Sequence, residues 1–223
     1  GVRRRRHNHT VVFWPLGGRP RGSAKRSGQA HVCCQAVGLG RAENGAGRDA
    51  AGEAFDKGGK ILGRAFTVKT APGDNLMVHK AIDMAAPGDV IVVDAGGPQR
   101  NAIIGEIMST LAASRKLAGM VIDGPIRDVD SLSKSKFPVF ARSISHRGPY
   151  KEGPGEINVT VSIDGMVVHP GDIIVGDHDG LFAIRPEGAD ALAKLVEAVE
   201  KKEKNILAQI AKGTLDRSWV DQT

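Results

Sequence analysis

The sequence predicts an α/β protein in which helices pack on a β-rich core, and not a purely doubly wound sheet. Three observations indicate this class. Residues 90–123 read as strand, helix and strand, and residues 137–185 hold short β-rich stretches between turn signals. The chain then closes with a helical pattern from about Glu187 to Lys212. With 223 residues and 41% hydrophobic composition, it can form one domain with a substantial core.

The first predicted strand and helix follow a change in composition near residue 60. ILGRAFTVKT (61–70) alternates and is rich in residues that favour strands. The turn-forming APGDN segment comes next, where Asp74 or Asn75 can cap a helix over residues 76–85.

Residues 90–123 predict a parallel pair of strands joined by a helix. VIVVDA (90–95) is apolar until its end, which is typical of a strand covered on both faces. A glycine-rich loop leads into a helical pattern over 106–118, with Gly119 as its expected C-cap. MVID (120–123) is the next strand, and a short return between two strands makes them parallel neighbours.

The second half predicts a series of strands separated by DG, HPGD and DHDG turns. The expected strands are FPVFARSIS (137–145), INVTVSI (157–163), MVV (166–168), DIIVGD (172–177) and GLFAIR (180–185).

The positive charge of the chain is concentrated in its first residues. Residues 1–54 hold ten of the 31 Lys and Arg residues but only three of the 25 Asp and Glu residues. Their hydrophobic residues do not recur with the period of 2 that indicates a strand or of 3.6 that indicates a helix. We therefore expect a basic, irregular segment over 1–54 and a folded domain over 55–223. Because the basic character does not belong to the domain, the sequence argues against a nucleic-acid-binding fold.

Several other classes of protein find no support in the sequence. No apolar run reaches the roughly 18 residues of a membrane span, and no secretory signal is recognisable. Cys33 and Cys34 are adjacent and form neither a disulfide framework nor a CxxC pair, which favours a cytoplasmic location. GxxxxGK[ST], HExxH, GxSxG and GxGxxG motifs are all absent.

The stretch MVIDGPIRDV places Arg127 and Asp128 just beyond a buried strand. Ligands of open α/β sheets bind beyond the carboxyl ends of strands, where the loop before Glu106 should also open. A helix N-terminus attracts anions, an arginine binds carboxylates through two bonds, and a carboxylate suits Mg²⁺ or Mn²⁺. A helix N-terminus, an arginine and a cation-binding carboxylate at one place are the groups needed to stabilise an enolate. Taken alone, however, Arg127 and Asp128 also fit a surface ion pair.

From about Lys60 to Trp219 the sequence resembles the RraA-like family, which includes class II 4-hydroxy-4-methyl-2-oxoglutarate/4-carboxy-4-hydroxy-2-oxoadipate aldolases. The segments that match are GRAFTV, APGDNLMVHKAI, PGDVIVVDAGG, GMVIDGPIRDVDSL, FPVFARS, PGDIIVGDHDG and KGTLDRSWV. The resemblance implies a phosphohistidine-like swivelling β/β/α domain with mixed sheets and packed helices. It also implies a homotrimer or hexamer with sites between subunits.

The family signature is an acid, twenty residues and then Arg-Asp, which Glu106, Arg127 and Asp128 match. By resemblance, Asp128 holds a divalent cation (Mg²⁺ or Mn²⁺), Arg127 binds the pyruvate moiety, and the amides of Ile107 and Met108 bind its carboxylate. Glu106 would position or deprotonate a metal-bound water, although aldolase members usually carry Asp there.

The resemblance implies further site residues with a less direct match. Asn75, His79 and Lys151 match positions near the substrate pocket. Glu203, on the closing helix, would reach the metal of a neighbouring subunit through water. The N-terminal helix that supplies another acid in the family is not recognisable in residues 1–54.

Two functions are therefore expected from the resemblance. The first is a metal-dependent lyase that cleaves a 4-hydroxy-2-oxo diacid to pyruvate and also decarboxylates oxaloacetate. The alternative is a regulatory protein that binds the endoribonuclease RNase E and inhibits RNA processing without catalysis. The retained acid and Arg-Asp pair favour the lyase, because a binding protein would not need them.

Overall fold

The computed structural model of the chain describes Gln35–Val37 and residues 60–97, 99–177 and 179–222. The chain divides into two units, one of residues 32–186 and the other of residues 1–31 and 187–223. Apart from Gln35–Val37, the basic segment expected at 1–54 lies outside the described residues. Gln35–Val37, in the larger unit, form a short strand that pairs with another strand of the same unit, Gly180–Ile184.

In its described residues, the larger unit has ten strands and three α-helices. The strands are β1 Gln35–Val37, β2 Ile61–Thr70, β3 Asp89–Asp94, β4 Gly119–Ile126, β5 Val139–Ile144, β6 Gly155–Ile157, β7 Val161–Ile163, β8 Met166–Val168, β9 Ile173–Asp177 and β10 Gly180–Ile184. The helices are α1 Leu76–Met84, α2 Glu106–Ser114 and α3 Val129–Lys134.

The main sheet is mixed, as the sequence predicts. Its order is β1-β10-β9-β2-β3-β4-β5, with β6 also paired to β2. The strands β2, β3, β4 and β5 are parallel, while β9, β10, β1 and β6 pair antiparallel. The predicted parallel pairing of β3 with β4 is confirmed, and its register sets Asp94 opposite Asp123. Both strands therefore end at the same edge of the sheet.

Both faces of the central strands are covered, which explains the apolar run of β3. Ile91 and Val93 belong to one core cluster, together with buried residues of α1, α2 and α3. Val90 and Val92 belong to a second cluster, together with buried residues of the β7–β8 hairpin. The three helices thus lie on one side of the sheet and the hairpin lies on the other.

The helix expected over residues 106–118 is shorter than predicted. It ends at Ser114, and Lys116 takes the left-handed conformation with φ 62°. The N–H groups of Lys116 and Leu117 donate to the carbonyls of Ala113 and Ala112, which is a Schellman motif. Gly119 instead begins β4, so it is not the C-cap.

The prediction of a single strand over residues 157–163 is also wrong, because the structure has two strands there. Asn158 has φ 58° and donates its N–H to Thr67 O, which separates β6 from β7. The β6 strand pairs with β2, whereas β7 forms a two-stranded sheet with β8. The left-handed residue changes the chain direction, and this allows one stretch of sequence to serve two sheets.

The smaller unit consists, in its described part, of residues 187–222. Helix α4, Ala189–Lys212, agrees with the predicted closing helix and ends at Gly213, which has φ 68°. In the part of the chain that the structure describes, no helix has both the length and the apolar character that a membrane span requires.

Candidate functional site

The loops that follow β3 and β4 lie against each other beyond the edge of the sheet. Ile103 N–H donates to Pro125 O at 2.8 Å, and Arg127 N–H donates to Ile104 O at 3.0 Å. These bonds fasten the start of α2 to the segment after β4. The β4–β5 pairing shifts register between Ile122 and Pro125, so β4 departs from regular geometry just before Arg127. Backbone bonds therefore bring Arg127 and Asp128 to the N-terminus of α2.

Asp128 lies at the centre of this junction. Its backbone is left-handed, with φ 59°, a conformation that aspartate tolerates better than most residues. Its Oδ2 accepts the N–H of Glu106 at 3.0 Å and lies 3.6 Å from Arg127 Nε. The side chains of Asp128 and Arg127 are 41% and 39% exposed, so both can reach a ligand. Because the contacts with described residues use Oδ2, the second carboxylate oxygen is available for a cation.

Gly105 provides the space that the Asp128 carboxylate occupies. A Cβ at this position would overlap Asp128 Oδ2 and lie 2.9 Å from Arg127 Cγ. Its backbone is extended, with φ −153° and ψ −161°, so other residues could adopt its conformation. Close approach of the carboxylate, and not the backbone angle, therefore excludes a side chain here. Sequence reasoning missed Gly105, although a glycine directly before a predicted helix start was a visible signal.

A cavity of about 250 Å³ adjoins this junction. It brings together the predicted residues Arg127, Asp128, Ile107, Met108, Asn75, His79 and Lys151. Its lining also includes Ile103, Ile104, Gly105 and Pro149, which the sequence reasoning did not single out.

Two predicted residues are placed differently from the rest. The backbone N–H of Glu106 binds Asp128, but Glu106 is not among the residues that line the cavity. Glu203 belongs to α4 in the smaller unit.

Asn75, which lines the cavity, has a buried acceptor without a partner among the described residues. The residue is only 2% exposed, and its Nδ2 donates to Ile103 O at 2.9 Å and to Met108 Sδ at 3.2 Å. Its Oδ1 is buried and finds no hydrogen-bond partner among the described residues. Because buried polar atoms are nearly always paired, this oxygen indicates a donor supplied by a ligand or by water.

The positive charge at the cavity comes from Lys151 and Arg127. Burial lowers the pKa of His79, and the charge of Lys151 lowers it further against the opposing effect of Asp83. His79 is therefore neutral at pH 7 and can either donate or accept a hydrogen bond. The cavity thus combines two cationic side chains with one carboxylate and a helix N-terminus.

The donor set suits a hard cation better than a zinc ion. Among the described residues, no three His, Cys, Asp or Glu side chains cluster as metal ligands. Zinc sites use three or four such side chains, whereas Mg²⁺ keeps several waters and needs one or two carboxylates. Asp128, with its available oxygen, fits the second pattern.

Comparisons with known proteins agree with this arrangement. The sequence model of the RraA-like family, described as Aldolase/RraA, matches residues 32–182. A protein of Halalkalibacterium halodurans, provisionally named a 4-hydroxy-4-methyl-2-oxoglutarate aldolase, is 42% identical over 144 residues, which are 65% of this chain and 67% of the relative. A Thermus thermophilus protein named 4-hydroxy-4-methyl-2-oxoglutarate aldolase is 31% identical, over 59% of this chain and 80% of its own.

A solved structure also resembles the chain. The RNA-processing inhibitor RraA from Thermus thermophilus superimposes with a TM-score of 0.56 and 30% identity, covering 60% of this chain and 80% of that one.

Proposed function

Because the chain belongs to the RraA-like, Aldolase/RraA family, we propose that it is a divalent-metal-dependent lyase acting on 4-hydroxy-2-oxo diacids such as 4-hydroxy-4-methyl-2-oxoglutarate. The products are pyruvate and a second oxo acid. One observation carries the proposal: Arg127 and Asp128 lie together at the N-terminus of α2, on the rim of one cavity. The aldolase names of two relatives support it.

In this proposal the chain binds the pyruvate half of the substrate through three groups. The N–H groups of Ile107 and Met108, at the start of α2, bind the carboxylate, since the helix N-terminus favours an anion. Arg127 binds the 2-oxo oxygen and stabilises its negative charge in the enolate. Asp128 holds the cation, which supplies further charge stabilisation at that oxygen when bound.

The other half of the substrate faces Asn75 and Lys151. Asn75 Oδ1 accepts a hydrogen bond from a water enclosed with the substrate, which leaves the 4-hydroxyl proton free for the base, and Lys151 binds the second carboxylate. Loss of the hydroxyl proton to a water near Glu106 allows the C3–C4 bond to break. Its electron pair passes to C3 and forms pyruvate enolate, which takes up a proton. Oxaloacetate yields the same enolate when it loses CO₂ from C4, so decarboxylation is expected too.

The proposal is tested by coupling pyruvate release to lactate dehydrogenase. We expect 4-hydroxy-4-methyl-2-oxoglutarate and oxaloacetate to give pyruvate in Mg²⁺ or Mn²⁺. EDTA should stop the reaction, and excess Mg²⁺ should restore it. If no 4-hydroxy-2-oxo diacid releases pyruvate with either metal, the lyase assignment is wrong.

A second candidate is regulation of RNA processing, which the similarity to the solved RNA-processing inhibitor favours. A non-catalytic protein that binds RNase E would inhibit cleavage of an RNA substrate by that enzyme. Inhibition that survives Asp128→Ala, together with no pyruvate release by the parent protein, would favour this candidate over the lyase.

We also propose that the active form is a homotrimer or hexamer. Helix α4 supports this, because Leu195, Val199, Leu207 and Ile210 are exposed apolar residues along it. In the assembly, Glu203 of one subunit would reach a water on the metal of the next. Light scattering during gel filtration should give a multiple of three protomers.

Gly105→Ala should weaken both metal binding and turnover. The methyl group would overlap Asp128 Oδ2 and so move the carboxylate away from the Glu106 N–H that it accepts. We expect kcat/KM to fall by about 10²-fold, comparable to the loss of one preorganised group. Titration with Mn²⁺ should show a matching loss of affinity.

Gly148→Ala is the comparison variant, since a Cβ there would lie 3.2 Å from Arg127 Nη1, the mobile end of a long side chain. Equal, small effects of the two alanines would show that Asp128 does not need the space beside Gly105.

A further inference from the structure

Asp74 is a buried carboxylate that joins two separate parts of the site. It is 2% exposed and precedes α1. Its Oδ1 accepts the N–H of Leu76 at 2.8 Å, in the first turn of α1. Its Oδ2 accepts the N–H groups of Glu152 and Gly153, each at 2.7 Å. One side chain therefore links the helix of Asn75 and His79 to the loop that follows Lys151.

The same loop is also fastened on the other side of Lys151. Tyr150 donates its N–H to Gly73 O at 2.9 Å, and Asn75 donates its N–H to Tyr150 O at 3.0 Å. The backbone is thus held immediately before and immediately after Lys151. These bonds fix the backbone position from which the flexible side chain of Lys151 extends.

The packing around Asp74 leaves little freedom for the loop. A Cβ on Gly153 would lie 2.8 Å from Ala71 Cβ and 3.0 Å from Asp74 Cγ. The loop therefore passes directly against the Asp74 side chain.

The charge state of Asp74 agrees with this role. Burial alone would raise the pKa of its carboxyl, but the N–H groups of Leu76, Glu152 and Gly153 and the charge of Lys151 together hold the pKa below its ordinary value. Asp74 is therefore ionised at neutral pH, and its bonds to the backbone are charge-assisted. Its stabilising contribution is complete above the ordinary carboxyl pKa and is lost as the pH falls through the lower folded value.

We propose that Asp74 is a positioning residue that holds the Lys151 loop over the cavity, so that Lys151 meets the second carboxylate of the substrate. The inference rests on the proposed lyase function, in which Lys151 binds that carboxylate. It goes beyond helix capping, because two of the three bonds reach residues 78 and 79 positions away in the sequence.

The variant Asp74→Asn tests whether Asp74 positions the Lys151 loop in addition to capping α1. An amide offers one acceptor oxygen where the carboxylate offers two, so its NH₂ group must face either Leu76 N–H or the Glu152 and Gly153 N–H groups. We expect KM for the diacid to rise about ten-fold or more, with kcat changed less than about three-fold, since the loop contacts bind substrate and not the reacting bond. Lys151→Met should raise KM similarly.

The decisive measurement is the double variant Asp74→Asn/Lys151→Met. If Asp74 acts through Lys151, the double variant should have the KM of Lys151→Met alone, because the two changes remove one interaction. Multiplied KM effects, or an unchanged KM in Asp74→Asn, would overturn the inference while leaving the lyase assignment intact.

Asp172→Asn is the matched control. Asp172 is also 2% exposed and accepts a backbone N–H, from His169 at 2.8 Å, but it does not line the cavity. It should lower stability without raising KM. A comparable rise in KM would show that any buried aspartate has this effect and would contradict the proposal.

Hydrogen exchange followed by mass spectrometry measures how firmly the Lys151 loop is held, and it does not depend on enzymatic activity. In Asp74→Asn, a peptide covering residues 148–155 should exchange faster than in the parent protein, whereas in Asp172→Asn it should not. Faster exchange in a protein that releases no pyruvate would refute the lyase assignment but keep the anchoring of the loop. Unchanged exchange would refute the anchoring itself.

Gly153→Ala replaces Asp74→Asn if that variant does not fold, because it moves the loop while leaving the Leu76 bond in place. It should raise KM and speed hydrogen exchange of the peptide covering residues 148–155. If one of these two effects is missing, the inference is overturned.

Discussion

Asp128→Ala should abolish metal-dependent pyruvate release. Asp128 is the carboxylate that joins the α2 N-terminus to the rim of the cavity, and no three acidic, histidine or cysteine side chains cluster as metal ligands among the described residues. We expect kcat/KM to fall by at least about 10³-fold, since the variant loses both the cation and its stabilisation of the enolate. Mn²⁺ titration should detect no binding at this site.

Two further variants exclude trivial explanations for this loss. Asp128→Asn retains an acceptor for Glu106 N–H and should fold like the parent protein, yet remain inactive because it lacks the charge. Asp83→Asn removes an exposed carboxylate of α1 that pairs with Arg115 at 2.6 Å, outside the cavity, and should keep full activity. Near-parental turnover by Asp128→Ala in Mg²⁺ would show that the cation, if any, binds elsewhere.

Arg127→Lys should keep the fold and the bound metal but lose most of the rate. Lysine retains the positive charge but lacks the planar fork that binds a carboxylate or enolate oxygen through two bonds. We expect a loss of roughly 2–4 kcal/mol of transition-state stabilisation, on the order of 10²–10³ in kcat/KM, by analogy with the removal of one oxyanion donor. Most of the loss should lie in kcat, because the interaction strengthens as the enolate forms.

Arg115→Lys is the matched control for a surface ion pair. Arg115 binds Asp83 at 2.6 Å and is 43% exposed, close to the 39% of Arg127. Such a pair contributes about 0–1 kcal/mol, so its conservative change should leave the rate unaltered. If Arg127→Lys is equally silent with every oxo acid tested, Arg127 is a surface residue in an ion pair with Asp128.

Much of the fold was predictable because its elements have clear periodicity. The alternation of residues 61–70, the apolar run of β3 and the closing helix α4 each reflect how side chains face a core or water. The errors occurred where a single residue takes a left-handed backbone, at Lys116 and at Asn158. Neither residue is glycine, and although asparagine tolerates this conformation better than most residues, the distant or capping hydrogen bonds that select it cannot be read from the sequence.

For the site, the sequence by itself determined which residues stand at strand ends and helix starts. Adjacent parallel strands end at one edge of a sheet, so Arg127, Asp128 and the start of α2 had to be near one another. Only the tertiary structure decided which atoms meet. Asp128 Oδ2 lies on Glu106 N–H beside Gly105, and Asp74 reaches a loop almost eighty residues away. Such contacts depend on distances of a few ångströms between segments, and periodicity carries no information about them.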